Sequence, residues 1–263
     1  MVLVIDIGNS NVKLGLYEKD KLLDSWRLGT SPKRTSDEYG MLICDVFRNK
    51  GYRLDGVEGI VISSVIPGLN YSFELLCEYY FKKKPMFVEP GIKTGISIKY
   101  DNPRELGADR IVCALAAYKL YKAPLVTIDF GTATTFNVVN EKGEFLGGVI
   151  MSGIKTSAEA LISGTAKLQK FELEMPPRVV GKNSVANMQS GAVYGTIGAV
   201  EYILKRIKAE NGWKEMTVVA TGGLSELINK GTDVIDVIDR TLALTGLKII
   251  YDINNLKRIT NNE

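Results

Sequence analysis

VLVIDIGNSNVKLGLYEKDKLL, residues 2–23, returns in altered letters as LVTIDFGTATTFNVVNEKGEFL at residues 125–146. Each copy opens on an apolar run rich in β-branched residues, breaks at a polar turn after Asp-x-Gly, and resumes with alternating residues. Each then turns again at a charged tetrapeptide or tripeptide, Glu18-Lys19-Asp20-Lys21 or Glu141-Lys142-Gly143. That pattern predicts an antiparallel meander in both places. The match in periodicity, turn position and I-D-x-G core reads as an internal duplication of whole domains, not a solenoid.

Outward from the first copy, Ser36 is read as the cap of a helix over 37–49, with Tyr39, Leu42, Ile43, Val46 and Phe47 as its buried stripe and Gly51 as its stop. A buried strand is expected over 57–64, a helix over about 71–81, a short strand near 86–88 and a helix over 108–121. After the second meander come a helix near 156–163, a long helix over about 184–208, a strand over 216–220 and a final helix near 240–251. Gly191, Gly195 and Gly198 share roughly one face of the long helix, a spacing that allows close backbone approach within the fold or at a dimer contact. No linker separates the halves, so the boundary is placed at 120/121, giving domains 1–120 and 121–263.

Composition narrows the chemistry. The 263 residues carry a net charge of only +3, with both signs interspersed, which leaves no electrostatic footprint for nucleic acid. Lys82-Lys83-Lys84 is read as a solvated helix end. Cys44, Cys77 and Cys113 are widely spaced among apolar neighbours and read as reduced thiols of a cytoplasmic protein. The start MVLVIDIG has no export pattern, and no apolar run reaches the roughly 18 residues of a membrane span. Histidine is absent. That removes Ser–His–Asp and Cys–His nucleophiles, His-bound metals and imidazole bases, leaving proton transfer to a carboxylate, Lys, Tyr or Cys.

Three constellations carry chemistry. In Asp6-Ile7-Gly8-Asn9-Ser10-Asn11-Val12-Lys13, Gly8 lets backbone N–H groups converge on an anion, the polar residues add donors, Lys13 adds a cation, and Asp6 stands where a carboxylate can hold Mg²⁺ through water. One such turn is explained as well by an ordinary hairpin. A second, Asp129-Phe130-Gly131-Thr132, asks for a shared task, and gripping a polyphosphate is the one proposed. Thr221-Gly222-Gly223 ends a further strand and by itself is a turn. The third constellation is Gly107-Ala108-Asp109-Arg110, a carboxylate and a guanidinium at a helix start, where backbone donors and the dipole favour anions. A bare Asp-Arg pair is better explained as a helix-start carboxylate beside a surface arginine; in a chain without histidine, though, a carboxylate is the natural base for phosphoryl transfer, which otherwise needs positioning and charge neutralisation.

The set IDIGNSN at 5–11, LGADR at 106–110, IDFGTATT at 128–135, LGGVI at 146–150 and NSVANMQSG at 183–191 resembles the type III pantothenate kinases of the acetate-and-sugar-kinase/Hsp70/actin superfamily, over essentially the whole chain. The resemblance implies an α/β fold of two duplicated ribonuclease-H-like (actin-like ATPase) domains, each a mixed five-stranded sheet flanked by helices. It implies ATP-dependent phosphorylation of pantothenate to 4′-phosphopantothenate in coenzyme A synthesis. By position it implies that Asp6 to Lys13 (Asp6, Ile7, Gly8, Asn9, Ser10, Asn11, Val12, Lys13) and Thr132 contact ATP, with Asp6 near Mg²⁺. Tyr100, Gly107, Ala108, Asp109, Arg110 and Ser184 match substrate contacts, Asp109 the general base, and Asp129 the ligand of an activating K⁺ or NH₄⁺. A cytoplasmic homodimer without nucleic-acid or membrane partner is implied as well. Met151-Ser152-Gly153 stands where the family usually has Ala-Pro-Gly, and Asn137 where an Asp is frequent. Two other readings remain: a superfamily kinase or phosphatase acting on a sugar or acetate, against which the absence of large insertions argues, and a non-catalytic nucleotide-binding regulator.

Overall fold

The computed structural model describes residues 1–260, with side chains of the last helix as far as 255. In chain order the elements are β1 (Val2–Ile7), β2 (Asn11–Glu18), β3 (Lys21–Gly29), α1 (Ser36–Asn49), β4 (Gly59–Ser64), α2 (Pro67–Leu76), β5 (Met86–Phe87), β6 (Ser97–Ile98) and α3 (Ala108–Leu120). They continue with β7 (Leu125–Phe130), β8 (Ala133–Val139), β9 (Glu144–Ser152), α4 (Ile154–Ser163), α5 (Ser184–Glu210), β10 (Thr217–Gly222), α6 (Ser225–Asn229), β11 (Val237–Ile238) and α7 (Leu242–Thr260).

The chain divides into two compact units. The first takes 1–96, 101–116 and 242 onward; the second takes 97–100 and 117–241. The passage at 116/117 lies close to the expected break at 120/121. The last helix differs from the expected partition: α7 clusters with the first unit, because its apolar stripe packs on β1, β2 and β4.

The first sheet has the order β3-β2-β1-β4-β5, with β1 antiparallel to β2 and parallel to β4. The second runs β9-β8-β7-β10-β11, with β7 antiparallel to β8 and parallel to β10, and adds β6 beyond β9 as a sixth strand. The five shared strands repeat one topology. Even the irregularity repeats: the ladder slips between Leu16 and Tyr17 in β2, and between Val138 and Val139 in β8. β-bulges are built-in features of a strand pair, so their recurrence at matching places supports the duplication.

One face of each sheet is buried by the helices of its own copy. In the first, Leu3, Ile5, Ile7, Leu14, Leu16, Ile60 and Ile62 pack with Tyr39, Ile43, Phe47, Phe73 and Phe81. The two-residue alternation of strands puts Val2, Val4 and Asp6 on the opposite face, the one α7 covers. There a Cβ on Gly15 would stand 2.9 Å from Val4 and 3.2 Å from Leu244, and one on Gly59 would overlap Tyr251. In the second sheet, Val126, Ile128, Phe130, Phe136 and Val138 pack with Val193, Ile197, Val200 and Leu204 of α5.

Two local readings move. The cap of α1 is Thr35, not Ser36, because Glu38 completes a reciprocal box with it: Glu38 N–H donates to Thr35 Oγ1 at 3.3 Å and Thr35 N–H to Glu38 Oε2 at 2.8 Å. The helix expected over 71–81 starts earlier at Pro67, a residue preorganised for a first turn, and ends in a wide turn over Cys77–Phe81 that Lys82 terminates at φ 55°. Lys82, Lys83 and Lys84 are exposed, as expected of a solvated helix end.

Candidate active site

The first hairpin closes on a single bond: Gly8 N–H donates to the Asn11 carbonyl at 3.0 Å. Thr30, one residue past β3, braces it from the side. Its amide donates to Ser10 O at 3.1 Å and its hydroxyl to Gly8 O at 2.7 Å. The carbonyls of Gly8, Ser10 and Asn11 are thereby consumed inside the hairpin. That suits a turn built to present amides, since a carbonyl facing a phosphate would repel it.

Asp6 is the next-to-last residue of β1 and only 5 % exposed. Its cross-strand partners in register are Lys13 on β2 and Ser63 on β4. Lys13 Nζ lies 3.4 Å from Asp6 Oδ2. On the other flank Ser63 is fully buried, and its hydroxyl has no hydrogen-bond partner among the described residues.

The Asp109 segment belongs to the same unit. Asn102 caps a short 3₁₀ turn by accepting Arg104 N–H at 3.3 Å and donating to Glu105 Oε1 at 2.7 Å. Leu106, buried, anchors the chain just ahead of the helix. The Gly107 carbonyl then accepts Arg110 N–H at 3.1 Å and Ile111 N–H at 3.3 Å, which starts α3. Asp109 sits in that first turn, and its Oδ1 accepts Arg110 N–H at 2.9 Å. A carboxylate there is favoured by the helix dipole. A Cβ added to Gly107 would meet the same Oδ1 at 2.5 Å and Val65 Cγ1 at 3.9 Å. Val65 N–H in turn donates to Ile7 O at 3.0 Å. That bond joins the ends of β1 and β4, and the head of α3 belongs to the same compact unit. Arg110 is buried, 7 % exposed.

In the second unit, Gly131 N–H donates to Ala133 O at 3.2 Å, so the turn has the same closure with one residue fewer. Asp129 pairs in register with Thr135 and Thr221. Where the first copy sets a lysine across from its aspartate, this copy sets a threonine. Two glycines bring backbone hard against the turn. Gly222 has φ +92°, and a Cβ there would lie 2.5 Å from Asp129 Oδ1. At Gly153 it would lie 2.3 Å from Gly131 O and 2.4 Å from Thr132 O. Thr132 O accepts Gly153 N–H at 3.1 Å and Thr156 Oγ1 at 2.8 Å. The oxygen donors here, a carboxylate and backbone carbonyls, are of the kind that suits hard cations. Asn137, buried, donates to Thr127 Oγ1 at 3.0 Å, so its amide satisfies a neutral pair within the sheet.

Tyr100 follows β6 and meets Phe145 edge-on with centroids 6.2 Å apart. Ser184 is the exposed first residue of α5, behind the cap Asn183, whose Oδ1 accepts Ala186 N–H at 2.9 Å. It lines a cavity of about 450 Å³ with Ser157, Leu161, Phe171 and Met188. Among the expected residues, the first unit thus brings together Asp6 to Lys13 and Gly107 to Arg110. The second holds Asp129 and Thr132 on one turn, with Tyr100 and Ser184 on separate elements. Ser63 was missed: Ser63-Ser64 merely end the apolar run Gly59-Ile60-Val61-Ile62, and nothing in that stretch marks Ser63 for a task.

Among the described residues no three Cys, Asp or Glu side chains converge in a way that could cage a metal ion. One carboxylate beside a turn that presents backbone amides is a donor set of the kind Mg²⁺ uses, since that ion keeps most of its waters and binds through one or two carboxylates plus substrate phosphates.

The comparisons with known proteins agree with this geometry. The family model for type III pantothenate kinases matches residues 2–206. A type III pantothenate kinase of Bacillus cytotoxicus is 50 % identical over 254 residues, 97 % of each chain. A solved structure from Campylobacter jejuni, provisionally described as a Baf family transcriptional activator, superposes with TM-score 0.61 at 19 % identity over 97 % of this chain and 99 % of that one. Component A of (R)-2-hydroxyglutaryl-CoA dehydratase from Acidaminococcus fermentans superposes with TM-score 0.56 at 13 % identity over 94 % of both. At such identities the likeness speaks to fold alone, and it agrees with the expected α/β architecture of mixed sheets flanked by helices.

Proposed function

Because this chain belongs to the type III pantothenate kinase family, we propose that Asp109 is the base of its reaction and that the Asp6–Lys13 hairpin holds the phosphates of its nucleotide. The protein is a kinase that transfers phosphate from ATP to pantothenate, in coenzyme A biosynthesis. The finer assignments are ours. The observation that supports them is that Asp109, at the head of α3, lies in the same compact unit as Asp6 and Lys13.

In this reading Asp109 takes the proton of the pantothenate hydroxyl as its oxygen bonds to the γ-phosphorus. The bond from that phosphorus to the β–γ bridging oxygen breaks, and ADP leaves with the electron pair. Asp109 Oδ1 already accepts Arg110 N–H at 2.9 Å, so the carboxylate is held in place before substrate arrives. Gly107, Ala108, Arg110, Tyr100 and Ser184 contact the substrate, and Thr132 the nucleotide. Asp6 would hold Mg²⁺ through water, supplying charge neutralisation on the phosphates. Asp129 would hold K⁺ or NH₄⁺, a carboxylate being an oxygen ligand of the kind that hard cations take. A homodimer is supported by the exposed face of α5 at Gly191, Gly195 and Gly198, where an added Cβ would meet nothing within 4 Å. Three cysteines with no disulfide among them, two of them buried, support a reducing compartment such as the cytoplasm.

The test measures phosphopantothenate formation with ATP, Mg²⁺ and pantothenate in K⁺ against Na⁺ buffers, for the parent and Asp109→Asn. We expect the variant to fold and bind nucleotide but to lose turnover about 10²–10⁴-fold. Parental turnover in Asp109→Asn would remove it as the base.

A further inference from the structure

The Ser63 hydroxyl is an anomaly. The residue is fully buried, yet its Oγ has no partner among the described residues. A buried hydroxyl without a partner costs free energy and calls for a reason. The next residue shows what satisfaction looks like: Ser64 Oγ accepts Ile66 N–H at 3.2 Å and lies 3.3 Å from Ile66 O. Ser63 is in register with Asp6 on the adjacent parallel strand. In-register residues of neighbouring strands point to the same face, with strands about 4.8 Å apart. The second copy repeats the arrangement, with Thr221 in register with Asp129. Each aspartate thus has a hydroxyl on its parallel-strand flank.

Burial means that Ser63 cannot reach a ligand itself. The in-register neighbour that carries a polar side chain on that flank is Asp6, whose Oδ2 lies 3.4 Å from Lys13 Nζ. We propose that Ser63 is a positioning residue for Asp6, its hydroxyl donating to the Asp6 carboxylate when Mg²⁺ and nucleotide phosphates are bound. Lys13 then exchanges Asp6 for phosphate oxygen, and Asp6, released from the lysine, is held on its β4 side while it faces the hydrated cation. The hydroxyl is unpartnered in the free protein because its partner arrives only on loading. This rests on the reading of Asp6 as the Mg²⁺-side carboxylate.

The experiment measures Mg-ADP binding by calorimetry, with and without Mg²⁺, and the thermal midpoint of the ligand-free protein, for the parent, Ser63→Ala and Asp6→Asn. Loss of a hydrogen bond to a charged group in the bound state alone predicts about tenfold weaker Mg-ADP binding for Ser63→Ala. It predicts no difference from the parent in EDTA, and a ligand-free midpoint equal to the parent's or higher, since an unpaired buried hydroxyl has been removed. A structural role would lower that midpoint or prevent folding, and either result overturns the proposal. So does Mg-ADP binding at parental strength, or a loss of the same size in EDTA. Asp6→Asn separates the two levels. If it keeps parental Mg-ADP affinity, the assignment of Asp6 fails and Ser63 with it; if it alone weakens binding, only Ser63 fails.

Discussion

Replacing Gly107 by alanine should disable the enzyme without unfolding it. Gly107 is not among the glycines with positive φ, so alanine adopts its backbone without strain. The added Cβ would stand 2.5 Å from Asp109 Oδ1, against 3.4 Å for an ordinary contact. The carboxylate must therefore retreat by about 0.9 Å, the difference of those two distances. The next neighbour, Val65 Cγ1, is at a comfortable 3.9 Å. A misplacement of about 1 Å at a reacting group costs about 10²-fold in rate. Stability has two opposing terms. Displacing Asp109 weakens its bond from Arg110 N–H, worth about 0.5–1.5 kcal/mol. Alanine recovers about 0.4–1 kcal/mol by restricting the unfolded chain. The net is near zero, so the melting temperature should move by no more than about 2–4 °C. Initial rates of ADP release with saturating ATP and pantothenate, beside a calorimetric melt, read both quantities. A Gly107→Ala enzyme whose kcat stays within about threefold of the parent would refute the reasoning, because Asp109 would then not be a base held to sub-ångström tolerance.

Two further outcomes are expected in the second unit. Gly153→Ala puts a Cβ 2.3 Å and 2.4 Å from two backbone carbonyl oxygens, which cannot swing aside as a side chain can. It should cost at least about 1–3 kcal/mol and lower the melting temperature by several degrees, and an unchanged melt would count against the tight crossing at that turn. Tyr121, whose hydroxyl donates to Asp239 Oδ2 at 3.0 Å, is pushed up to about 12 from its ordinary 10, by burial and then by that bond. A raised pKa gives stability that is complete below the unfolded value and lost as pH climbs through the folded one. Denaturant midpoints of the parent should therefore fall between about pH 10 and 12 more steeply than those of Tyr121→Phe. Parallel declines would show that the Tyr121 pKa is not raised in the folded protein.

The meanders were legible in the sequence because alternation, a glycine-bearing turn and a second copy all pointed one way. The hairpin closures at Gly8 and Gly131 come from that pattern, as does the helix carrying Asp109. Less was legible where an element has too few residues for a period. β6, β11 and α6 were missed on that account, at two, two and five residues. Periodicity also says that a helix has an apolar face, not which sheet the face meets, so α7 was grouped with the half that precedes it in the chain. Ser63 escaped for another reason. Its interest lies in a missing partner and in register with a residue 57 positions away, and neither is a property of its local sequence.

The placement of α7 has a consequence for the order in which the polypeptide can mature. Its residues are synthesised after the whole of the second unit, yet they cover the face of the sheet to which the much earlier β1 contributes Val2 and Val4. The second unit is continuous from 117 to 241 apart from 97–100, so everything it needs has been synthesised before α7 appears. Contacts between the first strand and the last helix have the longest sequence separation in the chain, and such non-local pairings close slowly. Nascent β1, β2 and β4 must wait with one apolar face uncovered, the exposure that invites aggregation and chaperone binding. β1, synthesised well before the second unit, is covered only after it.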